Sequence, residues 1–423
     1  MSERNLSGLQ VAALLVSASY GIGFLFGSGE LALQHGMAGS IYGVATAVGM
    51  FALALVGRRL WAAGVPVWEW FGRAYGSRLQ RAVALLSVVW MAGVLAAQIH
   101  GGAAVAGLLG LSQGSAFVVI LLLIFLASRL DLRFASMVFA MCLLSSAVVL
   151  VYALVVTGGW SLYLRALPAF SHDLATFSGP RLLAVTLAVG LLVCTGADYH
   201  QFVLAARRPS GAAAGCFLAG IALIAIGFLP SALVVTMQQA GALGDLPDSK
   251  QVIPLLLARV AGALGPGTDK VMLVALSTAA LGSGAAILRA TTEALACAAS
   301  GSRSAAHPVF ALIALGLSAL LASRDQGIVD TMVSVNVVYI ASISVCFATM
   351  VTGMVVPPQH AKWIVAVGFA ASVAVQLVGW LGQYSEDADV VSLVLGCFLS
   401  AGTALWFRFA AGGWTGRFSS LRR

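Results

Sequence analysis

About twelve apolar segments, separated mostly by short connections, constrain this chain more than any other feature. Most of them reach the roughly 20 residues that a helix needs to cross a bilayer. The segments are 9–32, 38–57, 82–110, 115–128, 134–157, 182–204, 212–237, 269–298, 308–323, 328–353, 361–382 and 388–407. Only 9% of residues are charged, whereas soluble domains carry about 25%. The pattern therefore predicts an all-α polytopic membrane protein with about 12 transmembrane helices.

The lysines and arginines are distributed unevenly between the two sides that twelve alternating spans define. All but six of the 23 lie on one side, and basic residues accumulate in cytoplasmic loops. The six are Arg165, Arg181, Lys250, Arg259, Lys270 and Arg324. We therefore expect a cell (inner or plasma) membrane protein with both termini in the cytoplasm. The net charge of +8 then reflects topology, and we expect no nucleic-acid partner.

Two connections stand out by length or composition. The predicted outer connection 238–269 contains a helical apolar period at 250–264, which predicts an amphipathic helix over the outer mouth. The predicted inner connection 58–81 mixes aromatic residues with arginines, which predicts a segment at the membrane surface. We interpret 1–407 as one membrane domain and 408–423 as a short basic cytoplasmic tail.

The first apolar segment contains the sequence SASYGIGFLFGSGE at residues 17–30, with glycine at positions 21, 23, 27 and 29. Each glycine inside a helix costs about 1 kcal/mol relative to alanine. Unwound backbone at membrane depth is tolerated only where it is buried in protein or lines a wet cavity. The stretch predicts a broken helix beside a binding site at the membrane midplane. Close helix packing on small residues is the alternative.

The sixth segment contains a similar interruption, CTGADYHQ, in which Gly196 and Asp198 disturb an apolar run. Segments one and six would then be corresponding members of two five-helix sets. Because five is odd, the second set enters the membrane from the opposite side, which predicts an inverted repeat. The predicted units are 9–157 and 182–353, followed by two extra helices at 361–407.

The eighth segment has adjacent hydroxyls at Ser277 and Thr278, followed by Gly282, Ser283 and Gly284. Hydroxyl and carbonyl oxygens can hold a dehydrated cation such as Na⁺ without a fixed charge. The alternative is that these hydroxyls bond to their own helix or join two helices.

Several stretches resemble the sodium:solute symporter family, whose members have the LeuT-like inverted-repeat fold. They are SYGIGFLFGSGELALQHGMAG, GRRLWAAGVPVWEWFGRAYG, ADYHQFVLAARRP and LVALSTAALGS. The resemblance implies broken helices 1 and 6. It also implies a secondary active transporter that couples the symport of a small polar organic solute to Na⁺ by alternating access.

The resemblance also implies site residues. In the family, Na⁺ binds between the first and eighth core helices. Here the matching residues are Ala18, Gly21 and Val274 through carbonyls, and Ser277 and Thr278 through hydroxyls. Substrate would lie beside the break, in contact with helices 1, 3, 6 and 10. The polar candidates are Ser19, Tyr20, Gln98, His100, Asp198, Asn336 and Tyr339.

Three other functions remain open at this point. A proton-coupled amino-acid permease would share the same fold, and a non-transporting membrane sensor would share the binding site. An intramembrane enzyme fits worst, because the sequence shows no paired carboxylates, metal-ligand cluster or nucleophile with a base. We therefore expect no enzyme and no cofactor besides the coupling ion Na⁺. The expected partners are a small-molecule solute, Na⁺ and the lipid bilayer, while the oligomeric state is open.

Overall fold

The computed structural model describes residues 4–300, apart from positions 131, 245 and 247, and residues 308–410, apart from positions 325, 355 and 382–386. All regular elements in these residues are helical. The α-helices are α1 Gly8–Ser19, α2 Ile22–His35, α3 Ile41–Ala63, α4 Val67–Tyr75, α5 Ser77–Leu108, α6 Gln113–Ala127, α7 Leu132–Val156, α8 Trp160–Leu164, α9 Ala166–Asp173, α10 Gly179–Thr195, α11 Ala197–Leu204, α12 Pro209–Gly227, α13 Leu229–Gln239, α14 Val252–Gly262, α15 Thr268–Ser300, α16 Pro308–Ala322, α17 Ile328–Thr352, α18 Pro358–Trp380 and α19 Ala388–Ala410. Of the predicted tail 408–423, residues 411–423 lie outside the described residues.

The apolar helices make this a multi-pass membrane protein. Within the described residues, seven helical segments are long and apolar enough to cross a bilayer, or eight if α10 and α11 form one bent span. The helices α1, α6 and α16 are apolar but shorter. Each of the predicted segments coincides with a helix or a helix pair, while the number of twelve membrane crossings stays a prediction.

The first apolar segment is broken between α1 and α2, as predicted. Tyr20 ends α1 with φ −80° and ψ 50°, and Gly21 precedes α2 with an extended backbone at φ −84° and ψ 179°. A helix end leaves its last four carbonyls and first four N–H groups without intrahelical partners. The break therefore places a set of polar backbone groups in the middle of an apolar segment.

The sixth segment is also broken, at Gly196, where α10 and α11 meet at a bend of 40°. Gly196 has an extended backbone with φ −71° and ψ 128°. The prediction of a second break is confirmed, while the inverted symmetry of the two halves stays a prediction.

Two long helices, α5 and α17, form the centre of the bundle. They pack against each other, and α17 also contacts α2, α10, α18 and α19, while α5 contacts α15 and α16. The α1 helix packs on α12 and α11. Side chains from α5 and α17 therefore reach the region between the two helix breaks.

The predicted inner connection 58–81 packs against the helix bundle. It contains the amphipathic helix α4, whose residues Trp70 and Phe71 are buried in the protein. The Trp70 ring packs edge-on against Phe347 of α17, with ring centroids 5.9 Å apart. These rings therefore pack against the protein, while the position of this segment at the membrane surface stays a prediction.

The predicted helix within the connection 238–269 is confirmed as α14, while its place over an outer mouth stays a prediction. It packs against α2, α7 and α15, and its residues Ile253, Leu256 and Leu257 are buried. The bundle therefore has two distinct ends, which we call the α4 end and the α14 end after these two short helices.

Candidate functional site

The first helix break lies against side chains from three other helices. A β-carbon built on Gly21 would lie 3.6 Å from Ser283 Oγ of α15 and 3.9 Å from Gln98 Nε2 of α5. On Gly23 it would lie 3.3 Å from Met332 Cε of α17. The glycines thus follow the helix break and also allow neighbouring helices to approach closely. The broken-helix interpretation and the close-packing interpretation of this stretch are therefore compatible.

Two buried carboxamides beside this break lack partners among the described residues. Gln98 and Asn336 are 3% and 0% exposed, and Gln98 Oε1 and both amide atoms of Asn336 make no hydrogen bond there. The hydroxyl of Tyr20, at the break itself, is also buried without a partner in the described part of the chain. A buried polar group left unpaired costs about 1–3 kcal/mol. Buried polar groups in folded proteins nearly always have a partner, and a bound ligand would supply the partner here.

The position of Asn336 on α17 places it between the two helix breaks. Met332, one turn before it, touches the Gly23 surface of α2. Tyr339, one turn after it, donates its hydroxyl to the carbonyl of Thr195 at the second break, over 2.9 Å. Residues three and four apart share one helix face. The Asn336 side chain therefore belongs to the face that joins both breaks.

The carbonyls at the end of α10 are satisfied by side chains. His200 Nε2 lies 2.8 Å from the Cys194 carbonyl oxygen, next to the bond from Tyr339 to Thr195. Tyr339, a predicted substrate residue, thus supports the second break. The sequence interpretation did not count His200 among the site residues, although a histidine four residues after an intramembrane glycine was a visible signal.

Asp198 lies directly at the second break, as its sequence position indicated. A β-carbon built on Gly196 would lie 2.7 Å from Asp198 Oδ1, and this oxygen is buried without a partner among the described residues. The arrangement places one intramembrane carboxyl at the second break, where an ionisable group is a functional candidate.

Two of the predicted Na⁺ ligands on α15, Val274 and Thr278, are joined within their own helix. Thr278 donates its hydroxyl to the Val274 carbonyl over 2.8 Å, and the Val274 side chain is 54% exposed. The α15 residue beside Gly21 is instead Ser283. It lies five residues beyond Thr278, which is about 8 Å along a helix axis. The GSG sequence around Ser283 was the signal for it, and Ser277 and Thr278 remain a prediction.

The remaining candidates face other directions or bond within their own helix. Ser19 donates its hydroxyl to the Leu15 carbonyl over 2.8 Å. His100 lies two residues after Gln98 on α5, which rotates it about 200° around the helix. The structure therefore separates His100 from the carboxamide of Gln98. The backbone at Ala18 belongs to the last turn of α1, directly before the break.

At the α14 end, contacts between several helices close the bundle. The Glu30 carboxylate of α2 accepts hydrogen bonds from Ser249 Oγ over 2.8 Å and from the Ile328 backbone N–H over 2.9 Å. Arg181 of α10 contacts the Asp330 carboxylate of α17 at 3.0 Å. All residues of α2 from Ile22 to Gly29 are buried. The helices α2, α10 and α17 and the segment before α14 thus meet between the helix breaks and the α14 end.

Toward the α4 end, by contrast, polar side chains are exposed within apolar helices. They are Gln10 and Ser17 on α1, Gln201 on α11 and Glu293 on α15. Ionisable residues such as Glu293 within membrane helices usually face the bundle interior or a water-filled cavity. Since Ser17 lies four residues before Gly21, these exposed groups extend from the α4 end to the first break.

No protein-family model matches the sequence, and no curated protein matches it either. Solved structures do. One is a Na⁺-coupled sialic acid symporter in a substrate-bound outward-open state, with 14% identity, a TM-score of 0.51, and 94% of this chain and 96% of that chain covered. Another is Mhp1, a nucleobase-cation-symport-1 family transporter in a closed conformation with bromovinylhydantoin bound. It has 13% identity, a TM-score of 0.54, and 96% of this chain and 94% of that chain covered. The chain therefore has the LeuT-like fold of these secondary transporters.

Proposed function

We propose that this protein is a Na⁺-coupled secondary transporter of a small polar organic solute. The observation that carries the proposal is the difference between its two ends. The α14 end is sealed by the hydrogen bonds of Glu30, while exposed polar groups lead from the α4 end to the helix breaks. A site that is reachable from one side only is one of the two states that alternating access requires.

The direction follows from the basic residues of the predicted inner loops. Arg58 and Arg59 at the end of α3 and Arg78 and Arg81 at the start of α5 all lie at the α4 end. By the positive-inside rule this end faces the cytoplasm, which makes the described conformation inward-facing. The outward-facing state then requires the contacts of α14 and α17 with α2 to separate.

Na⁺ would bind at the first break and bias this equilibrium. The last turn of α1, which includes Ala18, ends in carbonyls that no further turn of the helix follows, and Gly21 brings its backbone next to the Ser283 hydroxyl. These are the uncharged oxygen ligands that a hard cation accepts, and they come from two helices. Binding there would stabilise the conformation that holds α15 against the break, because an ion shifts an equilibrium through unequal affinity for two states. Val274, Ser277 and Thr278 form the alternative α15 set.

Thermal unfolding of the purified protein in detergent tests the ion, in Na⁺ against choline at equal ionic strength. A ligand that binds only the folded protein adds about 2.7 kcal/mol at 100 times its Kd. We expect a Na⁺-specific rise in the wild type that Ser283→Ala loses. Ser318→Ala is the matched control, since the Ser318 hydroxyl bonds its own helix at Ala314.

The double variant Ser277→Ala/Thr278→Ala decides between the two α15 sets. If this variant loses the Na⁺ response while Ser283→Ala keeps it, the ion site lies at the Ser277 and Thr278 hydroxyls instead. Equal unfolding temperatures of the wild type in both salts would contradict Na⁺ coupling altogether.

Proton coupling is the second candidate function, and the Asp198 carboxyl favours it. This group lies at the second break with Oδ1 unpartnered in the described part of the chain, and intramembrane carboxyls serve as proton relays in transporters. In that case the unfolding temperature is the same in Na⁺ and choline, and Asp198→Asn changes its dependence on pH. An unchanged pH profile in Asp198→Asn would contradict the proton mechanism.

A further inference from the structure

We propose that the central site recognises an uncharged cyclic amide or imide, that is, a flat ring with adjacent N–H and C=O groups, through the carboxamides of Gln98 and Asn336. This inference rests on the proposed transport function and specifies its substrate class.

The first argument is the hydrogen-bonding capacity that the two carboxamides leave unused. Both atoms of the Asn336 amide and the oxygen of Gln98 are buried without a partner in the part of the chain that the structure describes. Each carboxamide offers one acceptor and two donor hydrogens side by side. Asparagine and glutamine use this edge to bind a neighbouring N–H and ring-acceptor pair bidentately, as they do on adenine. An amide or imide edge satisfies the same pattern.

The second argument is the shared position of the two side chains. The Gln98 amide nitrogen lies next to the Gly23 surface of α2, where a β-carbon would be 3.6 Å away, and Met332 of α17 lies at the same glycine. Asn336 follows Met332 by one turn on the same face of α17. Both carboxamides therefore belong to the region that α2, α5 and α17 enclose beside the first break, and one ring-sized solute can engage both once the flexible Met332 side chain moves.

The third argument is that the helices enclosing the site supply no basic side chain near the carboxamides. The helices α2 and α17 contain no lysine or arginine, and α5 contains none beyond Arg81. Glu30 and Asp330, the acidic residues of α2 and α17, are engaged at the α14 end. A buried charge without a counter-charge is costly. An anionic solute would depend on the proposed Na⁺ alone, whereas a neutral solute needs no counter-charge. A carboxylate at the N-terminus of α2 is the competing arrangement.

The fourth argument is the set of aromatic side chains next to Asn336 and Met332. The Trp90 ring of α5 and the Tyr339 ring of α17 lie with centroids 6.0 Å apart, one turn from Asn336. The Tyr42 hydroxyl of α3 lies 3.7 Å from the Met332 sulfur. Flat rings stack or pack edge-on against such side chains. A planar ring therefore fits this surface better than a branched aliphatic chain.

The test measures the unfolding temperature of the full-length protein in Na⁺ with added probes. Uracil and succinimide carry the proposed edge, N,N-dimethyluracil keeps the ring but lacks the N–H donors, and L-alanine represents carboxylates. We expect saturable stabilisation by uracil or succinimide, and none by N,N-dimethyluracil. Asn336→Leu and Gln98→Leu each lower the apparent affinity about 10- to 100-fold, which is the cost of one unpaired buried group.

The leucine variants also separate binding from packing. Because leucine removes an unpaired buried amide, Asn336→Leu keeps or raises the unfolding temperature without probe, whereas a structural role for the amide would lower it. Ser342→Ala is the matched control on α17, since the Ser342 hydroxyl bonds Val338 of its own helix over 2.6 Å, and it retains the probe response.

Stabilisation by L-alanine alone, by N,N-dimethyluracil as strongly as by uracil, or by no probe would overturn the substrate class. So would an unchanged uracil affinity in both leucine variants. These outcomes leave the Na⁺ response of the protein without probe unchanged. That response tests the proposed transport function separately.

Discussion

At the scale of single residues, the buried polar groups near the breaks fall into two kinds. Tyr339 and His200 are bonded to backbone carbonyls at the end of α10, whereas Gln98 and Asn336 keep unpaired atoms among the described residues. The first kind stabilises an interrupted helix, because a buried carbonyl without a partner is costly. The second kind is available to a ligand.

Tyr339→Phe tests the structural kind. The variant keeps the ring but removes the donor to the Thr195 carbonyl, so we expect the free energy of unfolding to fall by about 1–3 kcal/mol. Tyr152→Phe is the matched control, because Tyr152 is 41% exposed and surface changes stay within about 0.5 kcal/mol. Denaturant-induced unfolding in detergent measures both, and equal stability of the two variants would contradict the assignment.

Gly29 provides a second prediction at this scale. A β-carbon there would clash with Ile253 of α14, and overpacking a core costs about 1–3 kcal/mol. We expect Gly29→Ala to lower the unfolding temperature. Gly114→Ala serves as the comparison, since a β-carbon at Gly114 meets no atom within 4 Å. A Gly29→Ala protein as stable as the Gly114→Ala protein would show that α14 does not pack closely on α2 in solution.

At the scale of elements, the contacts of Glu30 join α2, α17 and the segment before α14. This carboxylate accepts a backbone N–H from the first residue of α17 and the hydroxyl of Ser249. Hydrogen bonds to a charged group contribute about 1.5–3 kcal/mol. The ion pair between Arg181 and Asp330 is about one-third exposed on both sides, and exposed pairs contribute about 0–1 kcal/mol. Glu30 is therefore the stronger closure of the α14 end.

Glu30→Ala tests this ranking by hydrogen–deuterium exchange. Without the carboxylate the α14 end should open more often, so amides of residues 249–262 should exchange about tenfold faster or more, which corresponds to a loss of about 1.4 kcal/mol. Arg181→Ala should change exchange in the same segment less. A larger effect of Arg181→Ala would reverse the ranking of the two contacts.

At the scale of the whole molecule, the two ends differ in access to the breaks. Ser17 on α1 is exposed, whereas Ser28 on α2 is fully buried. A membrane-impermeant maleimide should therefore label Ser17→Cys from the α4 end. We expect labelling in inside-out vesicles and not in right-side-out vesicles, because the proposed orientation places the α4 end in the cytoplasm.

The labelling experiment has two internal controls. Ser28→Cys should stay unlabelled from both sides in this conformation, and the wild type sets the background of its six native cysteines, four of which are buried. Labelling of Ser17→Cys only in right-side-out vesicles would invert the proposed orientation.

The membrane class and both helix breaks could be predicted from the sequence, because they depend on local properties. The length of an apolar run decides whether it can span a bilayer, and glycine weakens a helix at the place where it stands. The breaks at Gly21 and Gly196 were therefore readable without any contact information. The helix α14 followed in the same way from its apolar period.

Tertiary packing decided which side chains meet at those breaks. The axial position of α15 relative to α2 depends on how several helices fit together, so Ser283 rather than Thr278 lies beside Gly21. Packing likewise buried Trp70 of α4 against α17 and set Asn336 between the breaks. The sequence by itself determined the helices and their interruptions, because those energies are local. The tertiary structure alone decided the site and its closed end, because both depend on contacts between residues far apart in the chain.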